Sequence, residues 1–229
     1  MSYSCYGDIS ALQAPAIPCT AVRAPDCGRY HSLLGLSTCL YLTERCFTFC
    51  YCQIKCGAAI QLAKREKYAF FYAAGIATVQ RSAEADVVRL RKYEIPIKRV
   101  ARNLCLDPAL IAAIISQESR VGLLLDNGWD QDRHKYGLMQ LGGQQHLPFG
   151  LWDSEEHINQ CSTILVLSIN EVRARHPTWT WDRQLRGGIC TYRAKMGNLQ
   201  VYEEDPCDRD NYYVNSVIRR AQYFKRHGF

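Results

Sequence analysis

From Gly75 onward apolar residues recur at helical spacing, punctuated by Gly and Pro, with little of the alternation that strands require. Three stretches carry the pattern clearly. The first opens with Asp107 as N-cap and Pro108 at the first helical position, lays down a stripe of Leu110, Ile111, Ile114 and Ile115, and stops short of Gly122. The second, from about Cys161 to His176, places Ile164, Leu165, Ile169 and Val172 along one side and is ended by Pro177. The third, about Tyr212 to His227, sets Val214, Val217, Ile218, Ala221 and Phe224 on one face, and its last turn is cationic, which suits the helix dipole. The fold expected from this is mainly α.

The stretch from about Gly28 to Tyr72 has no clean period of either kind. It also coincides with a break in composition: of twelve cysteines, eight (5, 19, 27, 39, 46, 50, 52 and 56) fall in the first 56 residues. Three regions are therefore expected: an N-terminal Cys-containing arm at 1–27, an atypical Cys-rich insertion at 28–74, and the helical domain at 75–229. Cys46, Cys50, Cys52 and Cys56 form a C-x3-C-x-C-x3-C run, which lacks the paired C-x2-C knuckles of a zinc ribbon. No metal and no cofactor is expected.

Composition narrows the class. At 229 residues with 48% hydrophobic and 22% charged positions, the chain is long enough to bury a core and is unlike a disordered or collagenous one. Its net charge of +6 suits an anionic polymer but names none. So many cysteines favour an oxidising compartment. No apolar stretch is long enough for a membrane helix, since Thr43, Glu44 and Arg45 interrupt the most apolar part of the first third. No signal peptide is visible at Met1 to Gly7.

One carboxylate stands out. Glu118 follows Ile111, Ile114 and Ile115 at intervals of seven, four and three, so it continues the apolar stripe and should face the core or a cleft. Burial disfavours the charged form and raises a carboxyl pKa, which is the profile of a general acid; a core glutamate paired with an Arg, or a solvated helix-end residue, would also fit the spacing. Further on, Asn127-Gly128 favours a hairpin turn and Gly137 allows close backbone approach, so a small irregular sheet could bring Asp130 or Asp132 opposite Glu118. Two carboxylates across a groove suit glycoside hydrolysis, with about 6.5 to 9.5 Å between them in an inverting enzyme. Acidic loop residues of this kind are more often simply solvated.

Ile115-Ser116-Gln117-Glu118-Ser119, Asn127-Gly128-Trp129 and Gly137-Leu138-Met139-Gln140 resemble, in order and spacing, the motifs of the goose-type lysozymes. Trp152 and His157, Pro177-Thr178-Trp179, Leu185-Arg186-Gly187-Gly188 and the closing run from Arg220 to Phe229 extend the likeness over Gly75 to Phe229, with Cys5-Tyr6-Gly7-Asp8 at the start. The resemblance implies an α+β lysozyme-like domain with a small antiparallel sheet beside a substrate groove. It implies cleavage of the beta-1,4 bond between N-acetylmuramic acid and N-acetylglucosamine in bacterial peptidoglycan, by an inverting mechanism with Glu118 as the acid. Gln140, His146, Tyr192 and Tyr213 would then line the groove, although each would serve equally as a packing residue. A secreted, monomeric antibacterial protein follows from the same likeness, with no nucleic acid partner and no membrane insertion.

The resemblance has gaps. Where the family carries aspartates after the tryptophan and after the GLMQ glutamine, this chain has Gln131 and Gly142, so the water-activating half of the reaction falls to Asp130 or Asp132. A catalytically weak or inactive peptidoglycan-binding protein is one alternative. Lytic transglycosylase chemistry, which needs only the glutamate, is the other. The family's Tyr-Asn-Ala-Gly becomes Tyr192-Arg193-Ala194-Lys195, adding two cations beside the groove. The likeness also pairs Cys5 with Cys105, closing a loop of about 100 residues for about 4 to 5 kcal/mol in the chain-entropy model. Cys19 finds Ala74 where its partner would fall, which leaves Cys27 as the nearest candidate, and Cys190 with Cys207 is a further candidate pair.

Overall fold

The computed structural model describes residues 6–12, 63–143, 146–196 and 212–229, with side chains omitted over 63–76. The chain divides into two compact units, residues 1–17 with 76–229 and residues 18–75. The Cys46 to Cys56 run lies outside the described residues, as do Cys5, Cys19, Cys27 and Cys207.

A 3-10 turn at Ile9–Ala11 is followed by helices α1 (Ala63–Leu90), α2 (Glu94–Leu104) and α3 (Pro108–Ser119), strands β1 (Lys135–Tyr136) and β2 (Leu141–Gly142), and helices α4 (Glu155–Arg175), α5 (Trp181–Met196) and α6 (Tyr212–Arg226). Among the described residues the protein is thus mostly helical with a small two-stranded antiparallel sheet, as the pattern and the family likeness together imply. No described helix is long and apolar enough to cross a membrane.

Helix α3 is the centre of the unit. Asp107 caps it by accepting from the Ala109 amide at 2.9 Å, and Pro108 fills the first position. Nine of its twelve residues are buried, so the helix is apolar on every side rather than along one stripe. Helices α6 and α2 pack against it. The helix ends in three consecutive left-handed residues, Arg120 (φ 53°), Val121 (φ 61°) and Gly122 (φ 84°).

Two differences from the sequence pattern have clear causes. Helix α4 begins at Glu155, six residues before the expected Cys161, because Ser154 caps it by accepting from the His157 amide at 3.2 Å and Glu155 and Glu156 favour its positive end. Helix α5 was not singled out by the pattern because Gly187-Gly188 reads as a break. Those glycines instead let α5 press onto α4: a Cβ on Gly188 would lie 2.4 Å from Ile169 Cγ1, and one on Gly187 2.8 Å from Val172 Cγ1. The third helix ends at Arg226, one residue before the expected His227.

The sheet is a short ladder, with Lys135 opposite Gly142 and Tyr136 opposite Leu141. Ahead of it, Asp126 and Trp129 exchange both backbone hydrogen bonds at 2.9 Å around Asn127 (φ 48°) and Gly128 (φ 87°). Two positive φ values in a two-residue loop are what a type I′ hairpin turn requires, and Asn-Gly is its preferred pair.

Candidate active site

The last turn of α3 is tied to the sheet by one hydroxyl. Buried Ser119 donates to the Leu138 carbonyl at 2.8 Å and accepts from the Gly122 amide at 3.0 Å, which holds the segment between β1 and β2 against the helix end. Buried His157 holds the same segment from α4, its Nε2 accepting from the Met139 amide at 3.2 Å. Burial lowers the pKa of that imidazole to about 4, so it is neutral and able to accept. Gly137 makes room for it: a Cβ there would stand 2.2 Å from the ring. On the far side Tyr192, wholly buried, donates to the Met139 carbonyl at 3.2 Å. Three elements thus fix one strand connection beside Glu118.

Glu118 itself is half-buried as a residue while its carboxyl group is enclosed. Burial is the largest influence and raises its pKa above the ordinary 4.5. The Tyr213 hydroxyl opposes this by donating to Oε1 at 2.5 Å, and the charges of Lys135 on β1 and Arg193 on α5 oppose it further. Tyr213, buried on α6, has its own phenol pushed well above the usual range by burial and by the nearby carboxylate. It remains a donor at any working pH.

The other residues singled out in the sequence are placed as follows. Asp130 is half-buried at the head of β1, and its Oδ1 accepts from the His134 amide at 2.7 Å and the Lys135 amide at 2.9 Å. One carboxylate oxygen is therefore occupied in shaping the loop. Asp132 and Gln131 are exposed on that loop. Gln140 is buried in a left-handed conformation (φ 54°), its side-chain amide donating to the Gly137 carbonyl at 2.9 Å. His146 is half-buried, its backbone amide bonded to the Gly142 carbonyl at 3.1 Å. Gly142 packs tightly: a Cβ there would meet the Met196 carbonyl oxygen at 2.7 Å, so any side chain at this position would require the α5 end to move.

Residues that sequence reasoning passed over support the site from behind. Gln117, beside Glu118, accepts from Ser216 at 2.5 Å and from Arg220 Nε at 3.0 Å. Arg220 also donates to Ser116 at 2.9 Å, and Ser116 donates to the fully buried Asp86 at 2.6 Å. Asp86 is paired in turn with Arg89 and, at 2.8 Å, with Arg120. The only signal for this in the sequence is a lone Asp on an otherwise helical stretch, and its partners lie up to 134 positions away. Among the described residues no group of His, Cys, Asp and Glu gathers as a metal site. Cys161 is a buried free thiol 3.7 Å from His157 Nε2, and burial pushes its pKa up. Cys105 and Cys190 are disulfide-bonded.

A buried, raised carboxyl at the end of a buried helix, faced by a small hairpin sheet, is the arrangement in which known relatives become informative. The family profile described as Lysozyme g matches residues 53–228. The chain belongs to the lysozyme g family. Lysozyme G of Dromaius novaehollandiae is 40% identical over 202 residues, covering 86% of this chain and 97% of that protein. Lysozyme g of Cyprinus carpio is 37% identical over 174 residues, 76% of this chain and 92% of that one. Lysozyme g-like protein 2 of Mus musculus is 42% identical over 155 residues, 68% and 71% respectively. Membership makes the chain a lysozyme-type glycoside hydrolase.

Proposed function

We propose that the protein cleaves the beta-1,4 bond between N-acetylmuramic acid and N-acetylglucosamine in bacterial peptidoglycan, with Glu118 as general acid. The observation that carries this is the enclosed Glu118 carboxyl, raised by burial and held by one phenolic donor. A protonated acid at the glycosidic oxygen lets the leaving sugar depart as a neutral alcohol, which is worth about 10² to 10⁴ in rate. Tyr213 orients the acid and keeps one oxygen engaged, so that the other faces the substrate.

Water attack from the opposite face gives inversion. Of the two loop carboxylates, Asp132 is the free one, while Asp130 keeps a single uncommitted oxygen and a backbone grip on the loop. Asp132 therefore holds the water and Asp130 holds Asp132's loop in place. Because Gln131 and Gly142 supply no carboxylate, turnover is slow relative to a site with two dedicated aspartates. The transglycosylase alternative is favoured by the same two residues, since attack by the sugar's own 6-hydroxyl needs no carboxylate for water.

The protein acts as a monomer outside the cell, in defence against bacteria, with Cys5–Cys105 and Cys190–Cys207 as its bridges and Cys19–Cys27 as a third pairing in the arm. The functional test is hydrolysis of purified peptidoglycan by the wild type and Glu118→Gln, with mass and anomer analysis of products. Reducing ends of inverted anomeric configuration, lost in the variant, are expected. Lysis that survives Glu118→Gln overturns the assignment, and anhydro ends replace hydrolysis by transglycosylation.

A further inference from the structure

Met139 lies in the turn between β1 and β2, and both of its backbone polar groups are spent on side chains of two helices. Its amide donates to His157 Nε2 on α4 at 3.2 Å, and its carbonyl accepts from the Tyr192 hydroxyl on α5 at 3.2 Å. The preceding carbonyl, that of Leu138, accepts from Ser119, the neighbour of Glu118 on α3. His157, Tyr192, Ser119 and Met139 are all fully buried. A backbone N–H can only donate, so Nε2 is the bare nitrogen of a neutral ring, and the ring's proton sits on Nδ1, 4.0 Å from the Cys161 sulfur. Protonating His157 would set a donor against a donor, and the buried Met139 amide would meet no bulk water in exchange. There is little room to yield. A Cβ on Gly137 would stand 2.2 Å from the ring, and Tyr136 meets the imidazole edge-on at 6.0 Å between centroids. The titratable groups facing the ring are Tyr136 from β1 and Cys161 from α4 itself, with Tyr192 and the Glu118 charge beyond the thiol. Burial is what keeps the imidazole neutral.

We infer that His157 is a positioning residue for the Glu118 site: it grips the Met139 amide, and through Leu138 and Ser119 the end of α3, only while its ring is uncharged, so that its protonation lowers turnover in a chain that is still folded. The inference rests on the hydrolase reading for its kinetic consequence and adds a group that, being fully buried, neither reacts nor touches the glycan. Its effect differs from that of a carboxylate losing its charge in the groove, because a side chain that accepts the same N–H without taking a proton removes it.

The test follows kcat and KM on soluble, uncrosslinked peptidoglycan strands between about pH 3 and 7, with the folded fraction measured on the same samples by circular dichroism. Wild-type kcat should fall in a step centred at about 4 while the chain remains folded. His157→Leu, which has no acceptor, should lower kcat about tenfold at every pH with KM little changed. His157→Gln, whose side-chain oxygen accepts the Met139 N–H and cannot charge, should recover most of that loss and lack the step. An acid limb that is the same in wild type and His157→Gln, or one that merely tracks the folded fraction, overturns the inference. Nitrogen-15 NMR of the folded wild type needs neither variant nor substrate: the Met139 and Ser119 amides should titrate together with the His157 ring. Amides that stay unmoved while the ring titrates overturn the inference as well. A wild type that cleaves nothing at any pH sinks the hydrolytic reading, and the shared titration of ring and amides then decides the grip by itself.

Discussion

Asp86 on α1 and Glu118 on α3 are both carboxylates taken out of water, and their surroundings could hardly differ more. Asp86 is fully buried and receives Arg89, Arg120 and the Ser116 hydroxyl, with Arg220 at 3.8 Å. Glu118 receives one phenol, and the cations near it stand off without an ion pair among the described residues. A buried charge that is fully paired is scaffold, and removing one member strands the others. A buried carboxyl left underpaired has its pKa raised and keeps a proton to give. The same helix end carries both: Ser116 and Gln117 belong to the paired network, and Glu118, the next residue along α3, to the underpaired site.

The sharpest way to break this contrast is to neutralise each carboxylate in turn. Glu118→Gln should lower peptidoglycan turnover by about 10³-fold, with the fold retained, because the amide cannot donate a proton to the leaving oxygen. Asp86→Asn should do the reverse in kind, costing about 3 to 5 kcal/mol of stability by stranding Arg120 and Arg220, with activity falling only as the folded fraction falls. Urea unfolding and turnover on the same samples decide both. If Asp86→Asn unfolds no more easily than wild type, the clamp account fails.

Stability against pH sharpens it further. His157 is neutral in the fold with a pKa of about 4 against 6.5 unfolded, so the unfolded chain binds the extra proton between those values. Stability should therefore be intact above about pH 6.5 and decline by about 3 kcal/mol as pH falls toward 4, by the usual 1.36 kcal/mol per unit. A His157→Gln variant should lose that slope. Glu118 has the opposite sign: its raised value means that the fold tolerates the protonated form better, so Glu118→Gln should be more stable than wild type at neutral pH, and the gain should shrink as pH falls through the raised value toward 4.5, below which both folded and unfolded chains are protonated.

The smallest expected effect is at Tyr213. Its hydrogen bond holds the Glu118 pKa down, so Tyr213→Phe should move the alkaline limb of the activity profile upward while reducing turnover several-fold through looser positioning of the acid. An alkaline limb that stays put in Tyr213→Phe would mean that the phenol does not act on the acid.

How much of this could be read from the chain depended on distance along it. The α3 boundaries were legible because Asp107, Pro108 and Gly122 act locally, and the Asn127-Gly128 turn was legible for the same reason. Glu118 stood out because it sits in phase with Ile111, Ile114 and Ile115. Its partner Tyr213 lies 95 positions away and only family likeness pointed to it. Helix α5 was hidden because two glycines that weaken an isolated helix are what its packing on Ile169 and Val172 demands. Asp130 looked like chemistry and also turned out to be turn architecture, since a short carboxylate in a loop finds backbone amides before it finds substrate.

The claim on which the account depends is that the fold holds the Glu118 carboxyl in its protonated form beyond the range of an ordinary glutamate. Carbon-13 NMR titration of that side-chain carboxyl, assigned by the resonance missing from Glu118→Gln, measures it directly. A midpoint clearly above 4.5 is the result predicted here, and a midpoint at or below 4.5 would contradict it.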